Sequence, residues 1–155
     1  MKAITILQPW ASLIACGAKK IETRSWATKY RGKIAIHAGQ GKQYMEFSKR
    51  EPIFSCLWNK EQIKMQLKER RDSLPYGAVI AIADLVDCVE INESHEYYLK
   101  LHLEDGTNKE YAFGDYTLGR YAWLLENIQA IKPVPAKGMQ RIWNWAGDLE
   151  CLAAQ

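Results

Sequence analysis

The chain has 155 residues, of which 48% are hydrophobic and 25% are charged, and its formal net charge is +3. A chain of this length has room for one domain with a sizeable core, and its composition excludes disordered and fibrous proteins. The small net charge also excludes a globally polybasic protein, so affinity for nucleic acid would require a local basic patch. We expect one domain over residues 1–155.

Neither the cysteines nor the apolar segments indicate a metal site or a membrane anchor. The four cysteines are widely spaced and form no C-x-x-C or Cys/His cluster, which predicts reduced thiols and neither metal nor cofactor. The first residues, MKAITILQPW, lack a long apolar core and a cleavage site, and the stretch AVIAIADLV is too short to cross a bilayer. We therefore expect a soluble cytoplasmic protein with no membrane partner.

The first quarter of the chain is predicted to alternate between strands and one helix. Residues 2–7 have the pattern of a short strand, and Pro9 suits the first turn of the helix that follows. Gly17 ends that helix, because glycine accepts the left-handed conformation found there. Residues 20–26 and 33–38 then alternate as strands, the second with isoleucines on its core face.

The rest of the chain is rich in strands, with a few inserted helices. Helical patterns occupy residues 42–50 and 59–73, and the nearly continuous apolar run at 78–91 predicts the central strand. Further strands are predicted at 121–132 and 140–145. Because strands and helices do not alternate regularly, we expect an α+β fold, a small mixed or antiparallel β-barrel with two or three flanking helices.

The segment at residues 20–26 places charged side chains where a core strand would have apolar ones. Lys20, Glu22, Arg24 and Trp26 share one side of it. One interpretation is a solvated edge strand that its charges protect from aggregation. The other is a polar cleft in which Arg24 orients the Glu22 carboxylate and Lys19 supplies a second cation, a suitable receptor for a base edge next to a phosphate.

Three residues, Trp26, His37 and Arg120, have two interpretations each. Trp26 is either core or an exposed platform on which a nucleobase stacks, and His37 is either a structural histidine or a general base. Arg120, in the loop FGDYTLGR, is either part of a structural turn or a phosphate contact in the same cleft. Thr23 alternates with Glu22 and is expected to point to the opposite face. The basic residues at 59–73 could extend a binding patch, but the interleaved glutamates favour ordinary surface ion pairs.

The motif G-x-K-x-x-E-x-R, formed by Gly17, Lys19, Glu22 and Arg24, stands between LQPWASLI and RGKIAIHA and precedes FGDYTLGRYAWLLEN. Together these segments resemble the ASCH (activating signal cointegrator homology) domain family from about residue 4 to residue 145, in the subgroup similar to the C-terminal ASCH domain of the transcription coactivator. The resemblance implies a PUA-like β-barrel with a cleft between barrel and helix. It also implies an association with RNA, modified nucleosides or nucleic-acid regulation.

The resemblance leaves more than one function open. Some family members resemble amidohydrolases that deacetylate N4-acetylcytidine with a Lys, a Thr and a distant Glu. Their Lys matches Lys19 in this chain, but the position of their Thr is occupied by Glu22. Their Glu has no matched position here. We therefore favour a module that binds RNA, DNA or a modified nucleoside through Lys19, Glu22, Arg24, Trp26, His37 and Arg120. The alternative is a nucleoside amidohydrolase or ribonuclease in which Glu22 is the base and Lys19 the oxyanion partner. A protein-interaction domain is a third possibility.

Overall fold

The computed structural model describes residues 1–58, 74–94 and 109–147. Within them the strands are β1 (Lys2–Ile6), β2 (Ile21–Arg24), β3 (Gly32–Ala38), β4 (Ala78–Glu90), β5 (Tyr121–Pro135) and β6 (Ile142–Asn144). The helices are α1 (Trp10–Ala15), a 3-10 helix (Met45–Lys49), α2 (Ile53–Leu57) and α3 (Lys109–Ala112).

The strands form one mixed sheet that curls into a half-barrel. Its order is β2-β5-β4-β3-β1-β6, with β1 parallel to β3 and the other pairs antiparallel. The register between β4 and β5 shifts at three places, between Val79 and Ala81, between Ile82 and Asp84, and between Leu85 and Asp87. Such irregularities increase the local bend and twist, which allows two long strands to curl. The predicted α+β, PUA-like barrel-type fold is confirmed.

The core lies on both faces of the sheet because alternate residues of the central strands point to opposite sides. Ile34, Ile36 and Ala38 of β3 pack in the main cluster with α1, as the sequence predicts. Ala35 faces the other way, into a second cluster that contains Trp143. The packing of α1 on the first of these faces fixes the position of the helix relative to the sheet. Strand β2 lies at an edge of the sheet, where its polar side chains can face a cleft.

Most predicted boundaries agree with the structure to within a few residues. Gly17 has φ +80° and ends the turn after α1, as expected. The helix predicted at residues 42–50 is wrong in type and length, since the chain forms only the 3-10 helix there. Pro52 follows it closely, and the residue before a proline disfavours helical backbone. The helix predicted at 59–73 and the segment at 96–108 lie outside the described residues.

Two further observations concern membrane and thiol chemistry. Among the helices of the described residues, none combines the length and the apolar character needed to cross a bilayer. Cys16, Cys56 and Cys88 form no disulfide in the described part of the chain, and Cys151 lies outside the described residues.

Candidate ligand-binding groove

Two adjoining clefts open beside the edge strand β2. The smaller cleft encloses about 630 Å³ and is lined by residues of β1, β2 and the loop after α3. The larger cleft encloses about 1110 Å³ and is lined by residues around the ends of β3 and β5 and by the segment before β6. Thr5, Arg24 and Trp26 line both clefts. The two clefts therefore adjoin at these three residues, and together they are called the groove.

Lys19 lies beneath the smaller cleft, and its side chain is only 1% exposed. The turn at Gly17 directs it inward, with its backbone N–H bonded to the carbonyl of Leu13 at 2.9 Å. The Lys19 ammonium donates to the carbonyl of Ile21 and lies 4.0 Å from Oε2 of Glu22. Burial lowers the pKa of Lys19, and the nearby carboxylates oppose that shift. Lys19 thus supports the cleft from below, whereas the sequence predicts that it lines the cleft.

Glu22 and Arg24 form an ion pair in the lining of the smaller cleft. Their side chains are 12% and 25% exposed, and Oε1 of Glu22 lies 3.0 Å from Nε of Arg24. Arg24 also donates from Nη2 to the carbonyl of Thr5 at 2.8 Å, which ties β2 to β1 across the groove. The predicted side-by-side placement of these two residues is confirmed. Strand β2 is an edge strand, but the side chains of Glu22 and Arg24 line a cleft and are not freely hydrated.

Thr23, expected on the face opposite Glu22, also contributes to the cleft. It is buried and lines the smaller cleft together with Glu22. A Cβ added to Gly114 would lie 3.4 Å from Nζ of Lys19 and 3.5 Å from Oγ1 of Thr23, so both groups adjoin this glycine of the loop after α3. Strand alternation alone does not reveal this contact between β2 and the loop.

Trp26 is half-buried and lies at the border of the two clefts. Its ring meets Trp123 edge to face, with centroids 4.7 Å apart, so one part of the indole belongs to the core. The guanidinium carbon of Arg141 lies 5.4 Å from the centroid of Trp26. Trp10 is also half-buried and lines the smaller cleft, where its ring packs against Phe47 with centroids 5.5 Å apart.

His37 lies in the larger cleft, away from the lining of the smaller one. Its side chain is 1% exposed, and Nε2 lies 2.9 Å from the carbonyl oxygen of Ala136. Because a carbonyl only accepts, Nε2 carries the proton. The buried Nδ1 has no hydrogen-bond partner in the described chain. These contacts make His37 a structural support for the segment that follows β5, and Lys19 and Glu22 do not adjoin it in one cleft.

Arg120 reaches the smaller cleft from the loop FGDYTLGR. Its Nη2 donates to the carbonyl of Thr23 at 3.2 Å, and its Nε lies 3.5 Å from a carboxylate oxygen of Asp115. Gly119, with φ +87°, provides the sharp bend that directs Arg120 inward. The structure therefore brings Glu22, Arg24, Trp26 and Arg120 to one cleft, with Lys19 beneath it.

Glu110 is the site residue that the sequence did not reveal. It is 8% exposed, and Oε1 lies 3.9 Å from Nζ of Lys19. Its carboxylate accepts backbone N–H bonds from Lys20 at 3.1 Å and from Ile21 at 2.8 Å, which fixes the start of β2. Burial raises the pKa of Glu110, and Lys19 opposes the shift. No local pattern marks this residue, because its partners lie about 90 positions away.

The described residues contain no group of three or more His, Cys, Asp or Glu side chains that could hold a metal ion. The smaller cleft combines two carboxylates, Glu22 and Asp115, with two arginines and several aromatic rings.

Comparison with known proteins identifies the family. Residues 4–135 match the ASCH domain. The chain belongs to the ASCH domain family. Over 142 residues this ASCH domain is 27% identical to Activating signal cointegrator 1 of Mus musculus and of Homo sapiens, a match that covers 90% of this chain and 21% of each relative. The chain thus corresponds to about a fifth of those relatives.

Solved structures of ASCH proteins share the fold. A crystal structure of ASCH from Zymomonas mobilis aligns with a TM-score of 0.50 and 18% identity, covering 97% of this chain and 90% of that one. A Y47F mutant of the Zymomonas mobilis protein aligns equally well, at TM-score 0.50 and 18% identity, with 92% of that chain covered. At this identity the likeness extends to the fold alone.

Proposed function

We propose that this ASCH domain is a binding module for RNA, DNA or a modified nucleotide, and that the smaller cleft receives the nucleobase. ASCH domains are generally associated with RNA binding. The relatives are named Activating signal cointegrator 1, and a role in RNA- or transcription-related regulation is the corresponding proposal for this chain.

The observation that supports the proposal most strongly is the Glu22–Arg24 ion pair in an aromatic cleft. Nε of Arg24 lies 3.0 Å from one carboxylate oxygen of Glu22 without forming a hydrogen bond to it, so the carboxylate can still accept hydrogen bonds from the amino group of a base. Trp10 and Trp26 line the same cleft and offer faces on which a base can stack, an interaction that tolerates all bases. The pair supplies orientation, and the rings supply most of the contact area.

Titration of the protein with short RNA, short DNA and single nucleosides, followed by tryptophan fluorescence, tests this proposal. Arg24→Ala should weaken binding by about 10-fold or more, since it removes a cation and frees the carboxylate. The matched control is Asp84→Asn, which disrupts the surface ion pair with Lys33, 2.9 Å long and outside the lining of both clefts. Unchanged affinity in Arg24→Ala, with wild-type circular dichroism, would show that the smaller cleft is not the site.

A hydrolase is the second candidate, and one observation favours it. Lys19 and Thr23 both adjoin Gly114, and Glu110 lies 3.9 Å from Lys19, so a buried ammonium and a buried carboxylate lie behind the hydroxyl of Thr23, which lines the cleft. Against this, Glu110 already accepts two backbone N–H groups, and Lys19 is bonded to a carbonyl. Both are therefore committed to the fold, and binding without turnover is the stronger proposal.

Incubation with N4-acetylcytidine and with single-stranded RNA distinguishes the two candidates. Product that forms with wild-type protein and disappears in Thr23→Val would support the hydrolase. Absence of product from both substrates, at protein concentrations near those of the substrate, would leave the binding module.

A further inference from the structure

The larger cleft differs from the smaller one in its charge. The smaller cleft is lined by two carboxylates, Glu22 and Asp115, beside its arginines. The larger cleft is lined by Arg24, Lys137 and Arg141, and no Asp or Glu of the described residues is in its lining. A cleft lined by cations without carboxylates has a concentrated positive potential, which attracts a polyanion. A neutral base or nucleoside makes no use of such a surface.

The wall that carries the two additional cations is held in place by three contacts. His37 bonds to the carbonyl of Ala136 at 2.9 Å, and Thr5 donates to the carbonyl of Met139 at 3.0 Å. Arg141 lies against Trp26, at 5.4 Å from its centroid. Lys137 and Arg141 are exposed and form no ion pair within the described part of the chain. The cations are therefore positioned by the backbone beneath them and remain available to a ligand.

Arg141 has an unusual backbone conformation for a residue with a side chain. Its φ is +59°, in the left-handed region that glycine adopts without strain. Strain of this kind persists where the surrounding structure imposes it, and it is frequent at ligand sites. The conformation places the guanidinium at the border of the clefts, beside Trp26, which lines both.

We propose that the two clefts together bind a single-stranded nucleic acid of at least two nucleotides, with a base in the smaller cleft and the adjoining phosphodiester groups on Arg24, Lys137 and Arg141 in the larger one. This rests on the proposed function, and it names the ligand as a strand instead of a free nucleoside. A single strand is required because a base must leave its stack to enter a cleft. Arg24, at the border, contacts the phosphate next to the bound base.

Arg141→Gly is the decisive variant, because glycine relieves the positive φ and the protein should fold at least as stably as the wild type. Arg141→Lys retains the charge, and Lys132→Ala, an exposed lysine of β5 outside both clefts, is the control. The probes are fluorescein-labelled single-stranded RNA and DNA of about eight nucleotides, and unlabelled cytidine. Affinity is measured by anisotropy or competition over a range of salt concentrations.

We expect Lys137→Ala/Arg141→Gly to weaken binding of the labelled strand by about 10-fold or more. The association constant should also depend less steeply on salt: the magnitude of the slope of its logarithm against the logarithm of the salt concentration should decrease by about 0.7 for each lost phosphate contact. Cytidine binding should be unchanged, and Arg141→Lys should keep the wild-type slope. Wild-type affinity and slope in the double variant, while Arg24→Ala weakens binding, would overturn this inference and leave the proposed function intact. If wild-type protein binds neither strand nor cytidine, both fail.

Discussion

Oε1 of Glu22 lies 3.0 Å from Nε of Arg24, while Oε2 of the same carboxylate lies 4.0 Å from Nζ of the buried Lys19. Two cations therefore lie within ion-pair distance of this carboxylate, which lines the smaller cleft. Nε of Arg24 forms no hydrogen bond, and 4.0 Å is beyond hydrogen-bond distance, so both oxygens of Glu22 keep their capacity to accept from a ligand.

Glu22 should select bases that carry an amino group. Cytosine presents an N4 amino donor, whereas uracil presents an oxygen at the same position, which the carboxylate repels. Glu22→Gln should reduce the preference for cytidine over uridine by about 1–3 kcal/mol, because the amide can offer either a donor or an acceptor. Competition binding with the two nucleosides measures this preference. Equal preference before and after the change would contradict the assigned role.

Trp26 should report and stabilise the bound base. Trp26→Phe should weaken strand binding by less than the roughly 1–3 kcal/mol that alanine substitution of a stacking aromatic costs, because Phe keeps a smaller ring, and it should reduce the fluorescence change on binding. The control is Trp58→Phe, because Trp58 lines a separate depression of about 430 Å³ together with Pro75 and Ile80. A full fluorescence response in Trp26→Phe would place the base elsewhere.

Lys19 and Glu110 should behave as a coupled pair in stability measurements. Lys19→Met or Glu110→Gln alone should lower the free energy of unfolding by about 3–5 kcal/mol, since each leaves a buried charge with less compensation. The double variant should lose clearly less free energy of unfolding than the two single variants together, because neither buried charge is then left without its partner. Urea unfolding of the four proteins measures the coupling. Strict additivity would mean that the 3.9 Å contact contributes nothing.

The stability of the protein should depend on pH through Lys19. Burial lowers the pKa of Lys19 below its usual 10.5 in the folded chain, so the unfolded chain holds this proton more tightly. Its contribution to stability is complete above about pH 10.5 and is lost as the pH falls through the lowered folded pKa. The difference in unfolding free energy between wild type and Lys19→Met should therefore shift in favour of the wild type as pH rises from about 7 to 10. Lys20→Met, at the exposed neighbouring lysine, should show no such shift, and a shift of equal size there would refute the assignment to Lys19.

Gly138 should not tolerate a side chain. A Cβ at this position would lie 2.5 Å from Cε1 of His37 and 2.8 Å from Oγ1 of Thr5. The imidazole cannot retreat easily, since it bonds Ala136 and packs on Trp143. Gly138→Ala should therefore destabilise the protein by about 1–3 kcal/mol. Thermal unfolding of Gly138→Ala, His37→Ala and the double variant should show that removing the imidazole offsets part of the loss; independent effects would exclude this steric explanation.

The alternation of side chains along the strands predicted the core residues better than the residues that line the groove. The alternation of Ile34 and Ile36 correctly predicted the main core face of β3. The same rule did not reveal that Thr23 lines the smaller cleft beside Glu22, because the loop that contains Gly114 adjoins it from a distant part of the chain. Alternation says which residues share a face, but it does not say what covers the other face.

The sequence by itself determined the chemistry carried by residues close in the chain. The two-residue spacing of Glu22 and Arg24 places them side by side on any strand, and Gly17 permits the turn that leads into it. Only the tertiary structure decided that Lys19 is buried and that Glu110 meets it from about 90 residues away. It also decided that Arg24 borders a second cleft, in which the described lining contains Lys137 and Arg141 and no carboxylate. Local geometry follows from backbone dihedral preferences, whereas burial and compensation of charge depend on which distant segments pack together.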